Sequence, residues 1–257
     1  MKTNRVFSSS AIGFFGAGKM AQGIVSALPP KTPVLLSSVE ENRNAEIARR
    51  CSLIFLAVRP QDVAAVAAEV KPLLTSDQTL VSIVAGKTLA GLRKAFGPKV
   101  KLVRVMPNLA LRARAGMCAV CPAAKTPRAV VDRVLKILGC AGEAVLLPEK
   151  AFDAVTALSG SGPAYFAFME QAMAEAGVAL GLKPNVARLL AEQTMFGTAK
   201  FLRESGADLQ QFIAGVCTKG GTTAAGMREL SRAGSFKRIV AKTLAAAARR
   251  SRELATA

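Results

Sequence analysis

The stretch Ile12-Gly13-Phe14-Phe15-Gly16-Ala17-Gly18-Lys19-Met20-Ala21 decides how the first half of this chain folds. A short apolar run predicts a buried strand, and Gly16-x-Gly18-x-x-Ala21 then leads into a helical pattern. Gly16 suits a tight turn, Gly18 leaves the backbone open to a close ligand, and Ala21 lets the helix pack closely on the strand. Placed between a strand and a helix, the motif predicts a dinucleotide-binding βαβ unit.

Residues 1–150 alternate short apolar runs with helical patterns. Few charges interrupt the apolar runs, as expected for strands of a parallel sheet that is covered on both faces. The predicted strands are residues 11–15, 34–36, 53–58, 80–84, 100–106 and 143–147, and the predicted helices are residues 19–28, 60–70, 88–96 and 127–138. This alternation predicts an α/β fold with a doubly wound, mostly parallel sheet.

The pattern changes at about Glu149, after which Ala-, Leu- and Met-rich helical patterns replace the strand-like runs. Residues 177–184 mark the end of one helix and the start of another, with a proline near the first turn. Residues 151–257 therefore predict an all-helical second domain. Residues 165–179 and 187–201 are apolar over wide faces, which is typical of helices that pack on more than one side. We expect a homodimer built on this domain.

Composition narrows the chemistry available to the chain. Of its 257 residues 51% are hydrophobic, but no apolar run is long enough to span a bilayer, and we expect a cytoplasmic protein without a membrane partner. The absence of histidine removes the commonest general acid or base and the commonest metal ligand. Cys118 and Cys121 have C-x-x-C spacing in a strand-like run, where they point to opposite faces. They predict buried thiols, and no metal site is expected.

The chain is strongly basic, with 35 Lys and Arg against 17 Asp and Glu and a formal net charge of +18. Nucleic-acid binding is the alternative that this charge raises. However, the basic residues are dispersed, and one tyrosine with no tryptophan offers no stacking platform for single strands. The pattern favours a solvated basic surface that attracts an anionic cofactor and substrate.

The end of the second predicted strand bears on the choice of cofactor. A carboxylate at this position holds a ribose 2′-hydroxyl, whereas Ser37 and Ser38 offer hydroxyls. Hydroxyls tolerate a 2′-phosphate better than a carboxylate does, which favours NADP(H), with NAD(H) as the alternative. Glu40 and Glu41 follow closely and weaken this argument.

Three further segments lie where an open α/β sheet or the following helix would meet the cofactor. They are Ala57-Val58-Arg59-Pro60-Gln61, Met106-Pro107-Asn108 and Ser159-Gly160-Ser161-Gly162-Pro163-Ala164-Tyr165. Each either contacts the cofactor or only forms a turn or helix cap.

A second glycine pair lies in Thr218-Lys219-Gly220-Gly221-Thr222-Thr223, just before a helical pattern. A tight turn with outward N–H groups at a helix start forms an anion site, to which hydroxyls and Lys219 add polar contacts. An ordinary capped turn is the alternative interpretation.

The ordered set G-x-G-x-M-A, V-R-P-Q, M-P-N, S-G-S-G-P-A-Y and G-G-T-T resembles the pyrroline-5-carboxylate reductase family over nearly the whole chain. The resemblance implies a Rossmann domain followed by a helical dimerisation domain. It also implies reduction of the cyclic imine 1-pyrroline-5-carboxylate to L-proline with NADPH or NADH, the last step of proline synthesis. A homodimer, or a higher homo-oligomer, would be formed through the C-terminal helices.

The resemblance and the strand ends together predict the site. Thr223 corresponds to the family's threonine near the imine nitrogen and is the predicted catalytic residue. The predicted substrate-binding residues are Val216, Thr218, Gly220, Gly221, Thr222 and Thr223. The predicted cofactor-binding residues are Gly16, Ala17, Gly18, Lys19, Met20, Ser37, Asn44, Ala57, Val58, Arg59, Pro60, Asn108 and Ser161.

The chain departs from the family pattern at three places. Leu109-Ala110 replaces the usual Thr-Pro after M-P-N, and Lys219 replaces a proline before the glycine pair. Between Ser38 and Asn44, a helix and a strand of about twenty residues that frame the adenosine end are absent.

Two other functions remain open on the sequence. Imine reductases and β-hydroxyacid dehydrogenases share the two-part architecture, and the latter use a catalytic lysine on a helix of the second domain, for which Lys183 and Lys200 are the candidates. The other alternative is a non-catalytic relative, because the shortened adenosine region puts cofactor affinity in doubt.

Overall fold

A computed structural model describes residues 11–256, and the side chains of residues 11–255. The strands in that part of the chain are β1 Ile12–Phe15, β2 Val34–Ser37, β3 Leu53–Leu56, β4 Thr79–Ser82, β5 Lys101–Pro107, β6 Gly116–Pro122 and β7 Gly142–Leu146. They form one sheet in the order β2-β1-β3-β4-β5-β6-β7. β6 is antiparallel to β5, and every other neighbouring pair is parallel. The predicted α/β fold with a mostly parallel sheet is confirmed.

Helices cover both faces of the sheet. One face carries α1 Lys19–Ala27 and α5 Arg128–Gly139, and the other carries α2 Asn44–Arg50, α3 Val63–Val70 and α4 Leu89–Phe96. Successive side chains of a strand point to opposite faces, so Phe14 packs with α1 and α5 while Phe15 packs with α2, α3 and α4. Both rings are fully buried. The strands are apolar throughout because both of their faces are covered.

Three elements differ from the sequence prediction. β6 completes the sheet as a full strand, reached from β5 through a 3-10 helix, Leu109–Ala113, and a left-handed residue, Arg114. α2 forms after a short turn behind β2, where no helix was predicted. The predicted helix over residues 60–70 divides into a 3-10 helix, Pro60–Asp62, and α3.

Residues Gly162–Ala246 form a compact unit that is separate from the rest of the described chain. Its helices are α7 Gly162–Ala179, α8 Pro184–Ser205, α9 Leu209–Val216, α10 Thr222–Ser231 and the first half of α11 Ser235–Thr256. The predicted helical second half is thereby confirmed. Large apolar side chains such as Phe166, Phe168 and Phe196 are exposed, whereas Ala187 and Ala191 on α8 are buried. So many exposed large apolar side chains in one unit are typical of an interface.

The last turns of α11 belong to the α/β unit together with a short helix, α6 Phe152–Val155. The hydroxyl of Ser251 donates a hydrogen bond to Asp153 Oδ1 at 2.7 Å. The backbone of Leu254 approaches Gly86, where a β-carbon would lie 3.1 Å from the Leu254 carbonyl oxygen. None of the described helices is both long and apolar enough to cross a membrane.

Candidate functional site

The turn after β1 leaves room for a ligand close to the backbone. Gly16 has a φ of +103°, and a β-carbon there would lie 2.5 Å from the carbonyl oxygen of Ala57, so the position requires glycine. The Gly16 N–H donates to the Ser37 carbonyl at 3.0 Å and ties the ends of β1 and β2 together. Gly18, in contrast, has open space where its β-carbon would be.

The first turn of α1 provides the polar side of this site. The helix begins at Lys19, directly after Gly18, and no side chain caps its N–H groups. Those N–H groups and the positive end of the helix dipole are suited to an anion. Gln22 Nε2 donates to the Ala17 carbonyl at 2.9 Å and holds the turn in place. The geometry fits a pyrophosphate.

A cavity of about 1020 Å³ opens at the carboxyl ends of β1, β2 and β3. The predicted cofactor-binding residues that line it are Gly16, Ala17, Gly18, Ser37, Asn44, Ala57, Val58 and Arg59. The lining residues outside the predicted cofactor-binding set are Gln22, Ser38, Val39, Glu40, Asn42, Asp62 and Val66. They lie on α1, on the turn after β2 and on the segment after β3. A position just past a strand end could have indicated several of these residues. Whether their side chains face the cavity depends on the path of the turn, which the sequence does not give.

Two carboxylates and one guanidinium face this cavity. Arg59 pairs with Asp62 through two contacts, from Nε at 2.8 Å and from Nη2 at 3.4 Å. This carboxylate raises the pKa of Arg59. A hydrogen bond from the Ser38 hydroxyl lowers the pKa of Glu40, with a further contribution from the Glu40 backbone, so Glu40 is ionised at neutral pH.

Asn44 lines the cavity from the first position of α2. Its Nδ2 donates to Glu69 Oε2 at 2.8 Å, and its backbone N–H donates to Asn42 Oδ1 at 2.9 Å. Asn42 Nδ2 also donates to Glu69, at 3.2 Å. Asn44 therefore both lines the cavity and fastens the turn after β2 to α3.

Asn108 and Ser161 do not line this cavity. Asn108 Oδ1 accepts the Met117 N–H at 3.1 Å, and its Nδ2 donates to Ser159 Oγ at 3.3 Å. Ser159 lies in a π-helical segment, Thr156–Gly160, a geometry that occurs frequently at functional sites. Asn108 thus joins the end of β5, the start of β6 and the π-helical segment. Its role in cofactor binding stays a prediction.

The second predicted site lies in the helical unit, between α9 and α10. The turn closes through a 3.0 Å hydrogen bond from the Gly221 N–H to the Thr218 carbonyl, and Gly220 has a φ of +77°. A β-carbon on Gly221 would lie 2.5 Å from Thr218 Oγ1. α10 begins at Thr222 with no side-chain cap, and Thr222 and Thr223 are exposed. The six predicted substrate-binding residues all lie within a few residues of the uncapped N-terminus of α10, whose free N–H groups suit a carboxylate.

The remaining reactive side chains have ordinary surroundings. Lys183 is the exposed residue before α8, and exposed Lys200 lies 3.8 Å from Glu204 one turn later. Cys118 and Cys121 are free and buried on different faces of the sheet, and burial raises the pKa of Cys118 to about 11. Among residues 11–256 no group of His, Cys, Asp or Glu is arranged to hold a metal ion.

Comparison with known proteins connects both units to one group of enzymes. A family described as pyrroline-5-carboxylate reductase dimerisation matches residues 149–254, and one described as NADP oxidoreductase coenzyme F420-dependent matches residues 32–86. Pyrroline-5-carboxylate reductase of Pisum sativum is 36% identical over 96% of this chain and 96% of its own length. Pyrroline-5-carboxylate reductase 3 of Bos taurus is 32% identical over 95% of this chain and 85% of its own length.

Solved structures give the same picture. Plasmodium falciparum pyrroline carboxylate reductase, crystallised with NADP bound, has a TM-score of 0.86 at 29% identity and covers 97% of this chain and 99% of its own. A pyrroline-5-carboxylate reductase from Coxiella burnetii has a TM-score of 0.89 at 28% identity and covers 96% of this chain and 99% of its own.

Proposed function

This chain belongs to the pyrroline-5-carboxylate reductase family, and we propose that it reduces 1-pyrroline-5-carboxylate to L-proline with a reduced nicotinamide cofactor, the last step of proline biosynthesis. The observation that carries the proposal is the similarity over nearly the full length, which spans both the Gly16–Gly18 turn and the Gly220–Thr223 turn. When bound, the cofactor would supply the hydride for the imine carbon.

The α/β unit has the features that a dinucleotide requires. The uncapped start of α1 and the open space at Gly18 suit the pyrophosphate, and we assign Lys19 and Met20 to it through their backbone N–H groups. Val58, Arg59 and Pro60, just beyond β3, are assigned to the nicotinamide ribose. Ser161 and Asn108 are kept as candidates for the nicotinamide end.

The helical unit supplies the proposed substrate site. The N–H groups at the start of α10 would bind the substrate carboxylate, with the backbone of Val216 and Thr218 completing the turn. Thr223 would orient the ring nitrogen by a hydrogen bond. Since an imine takes its proton from solvent, this chemistry requires no strong acid, which agrees with a chain that lacks histidine.

We further propose that the helical unit forms a homodimer, and a higher homo-oligomer built from such dimers is the alternative. The match to a dimerisation family and the exposed phenylalanines of α7 and α8 support it. The cytoplasmic location and the NADP(H) preference drawn from the sequence stay predictions.

The proposal is tested by following the oxidation of NADPH and NADH, in separate assays, with pyrroline-5-carboxylate as substrate. Thr223→Ala should lower kcat/KM by about tenfold or more, whereas Thr223→Ser, which keeps the hydroxyl, should retain most of the activity. In a separate assay a 3-hydroxyacid is supplied with NAD⁺ or NADP⁺ and reduction of the cofactor is followed, because oxidation of a hydroxyl requires the oxidised cofactor. Turnover of the hydroxyacid in place of the imine, or no turnover of either with an intact dimer, would contradict the proposal.

A further inference from the structure

We propose that Glu40 makes this protein select NADH over NADPH, by binding the adenosine ribose hydroxyls and repelling a 2′-phosphate. The inference rests on the proposed function only in taking the cavity at β1, β2 and β3 as the cofactor site. It reverses the preference that the strand-end serines suggested from the sequence.

The position of Glu40 follows from the turn after β2. In open sheets of this kind the group beyond the second strand of the βαβ unit meets the adenosine ribose. Here β2 ends at Ser37 and α2 begins at Asn44, so one short turn has to provide that group. Glu40 lies in this turn and lines the cavity together with Gly16 and Gly18.

The two serine hydroxyls at the strand end are engaged within the turn. Ser37 is 2% exposed, and its Oγ accepts the Arg43 N–H at 3.0 Å. Ser38 Oγ accepts the Glu41 N–H at 3.1 Å, and the Ser38 side chain lowers the pKa of the nearby Glu40 carboxyl. Both serines therefore support the turn, and Ser37 offers almost no surface to a 2′-phosphate.

The cations near this position already have carboxylate partners. Arg59 is the one cation among the described residues that line the cavity, and Asp62 binds it through both carboxylate oxygens. Arg43 lies behind the turn, with its Nε 2.9 Å from Glu46 and 3.8 Å from Glu41. Glu40 is left as the charge that faces the ribose.

These charges discriminate between the two cofactors. A 2′-phosphate carries about −1.5 to −2 charges at neutral pH and would be placed beside an ionised carboxylate. The 2′- and 3′-hydroxyls of NADH can instead donate hydrogen bonds to that carboxylate. This repulsion is electrostatic. Because Glu40 is exposed, dissolved salt should screen the repulsion, which should therefore weaken as the salt concentration rises.

Binding titrations test this inference without turnover. ADP-ribose and 2′-phospho-ADP-ribose are titrated calorimetrically into the full chain, and NADH and NADPH by their own fluorescence, which no tryptophan of this chain disturbs. The forms without the 2′-phosphate should bind at least about tenfold more tightly at low salt, with a smaller ratio at high salt.

Glu40→Gln keeps the size and polarity of the side chain and removes only its charge. It should bring the ratio close to one, mainly through tighter binding of the phosphorylated forms. Glu41→Gln removes the neighbouring charge, which does not line the cavity, and should leave the ratio unchanged. Equal or tighter binding of NADPH by the unmodified chain, an equal effect of the two variants, or binding of neither ribose compound would overturn the inference. Loss of imine reduction with the binding ratio intact would instead count against the proposed function alone.

Discussion

Arg104 and Glu149 form one ion pair, but substituting each of them should lower the free energy of unfolding by very different amounts. Arg104 Nη1 lies 2.9 Å from Glu149 Oε1, and the Arg104 side chain is 6% exposed against 33% for Glu149. The guanidinium also lies 4.6 Å from the centre of the Phe152 ring. The same Glu149 oxygen accepts the Leu89 N–H at 2.7 Å, at the start of α4.

Glu149→Ala leaves the buried guanidinium without its carboxylate and the Leu89 N–H without its acceptor. We expect it to lower the free energy of unfolding by about 3–5 kcal/mol, the range for breaking a buried pair by removing one partner. Arg104→Met leaves a carboxylate that water can reach, and the methionine replaces part of the buried stem. Its cost should be about 1–2 kcal/mol.

Urea unfolding followed by circular dichroism measures both changes, at one protein concentration because the proposed homodimer would make the apparent stability depend on concentration. Arg128→Met is the matched control, since Arg128 is 76% exposed in its pair with Asp132 and should cost less than about 1 kcal/mol. Equal losses for the two partners, or a larger loss for Arg104→Met, would refute the reasoning from burial.

Three further outcomes are expected. Gly16→Ala should abolish measurable NADH binding in a fluorescence titration, because the new β-carbon meets a carbonyl oxygen at 2.5 Å in a backbone conformation that favours glycine; retained affinity would show that the turn can rearrange. Asn108→Ala should cost about 1–3 kcal/mol in thermal or urea unfolding because a backbone N–H loses its acceptor, whereas Asn108→Asp keeps one and should cost less. Burial raises the pKa of Cys118 to about 11, so this thiol stays protonated at pH 8 and should resist iodoacetamide in the folded protein. Cys140 is half-exposed and should be alkylated before Cys118, as mass spectrometry would show, and the reverse order would contradict the burial of Cys118.

Much of the α/β unit could be predicted from the sequence because its strands are covered on both faces. An apolar run such as that of β3, followed by a helical pattern, is typical of a buried strand of a parallel sheet and fits few other structures. For β6 the sequence predicts only a strand-like run, because the antiparallel pairing with β5 depends on the left-handed turn at Arg114, a residue type with no preference for that conformation.

The site was predictable to the extent that backbone geometry determines it. Gly16 is required by its φ, which the glycine motif predicts as a tight turn, and by the close approach of the Ala57 carbonyl, which only the structure shows. The contacts of Asn108, in contrast, depend on a side chain brought close from a distant element, Ser159. Spacing along the chain carries no information about such partners.

The hydrogen bond between Ser251 and Asp153 has a consequence for synthesis on the ribosome. It joins residues 98 positions apart, and the turns of α11 around Ser251 belong to the α/β unit. All seven strands emerge long before that helix does, so a nascent chain carries an α/β unit that still lacks its final packing against Gly86. Stalling or truncation before Ser251 should therefore expose the α/β unit to proteases, even though every strand is present.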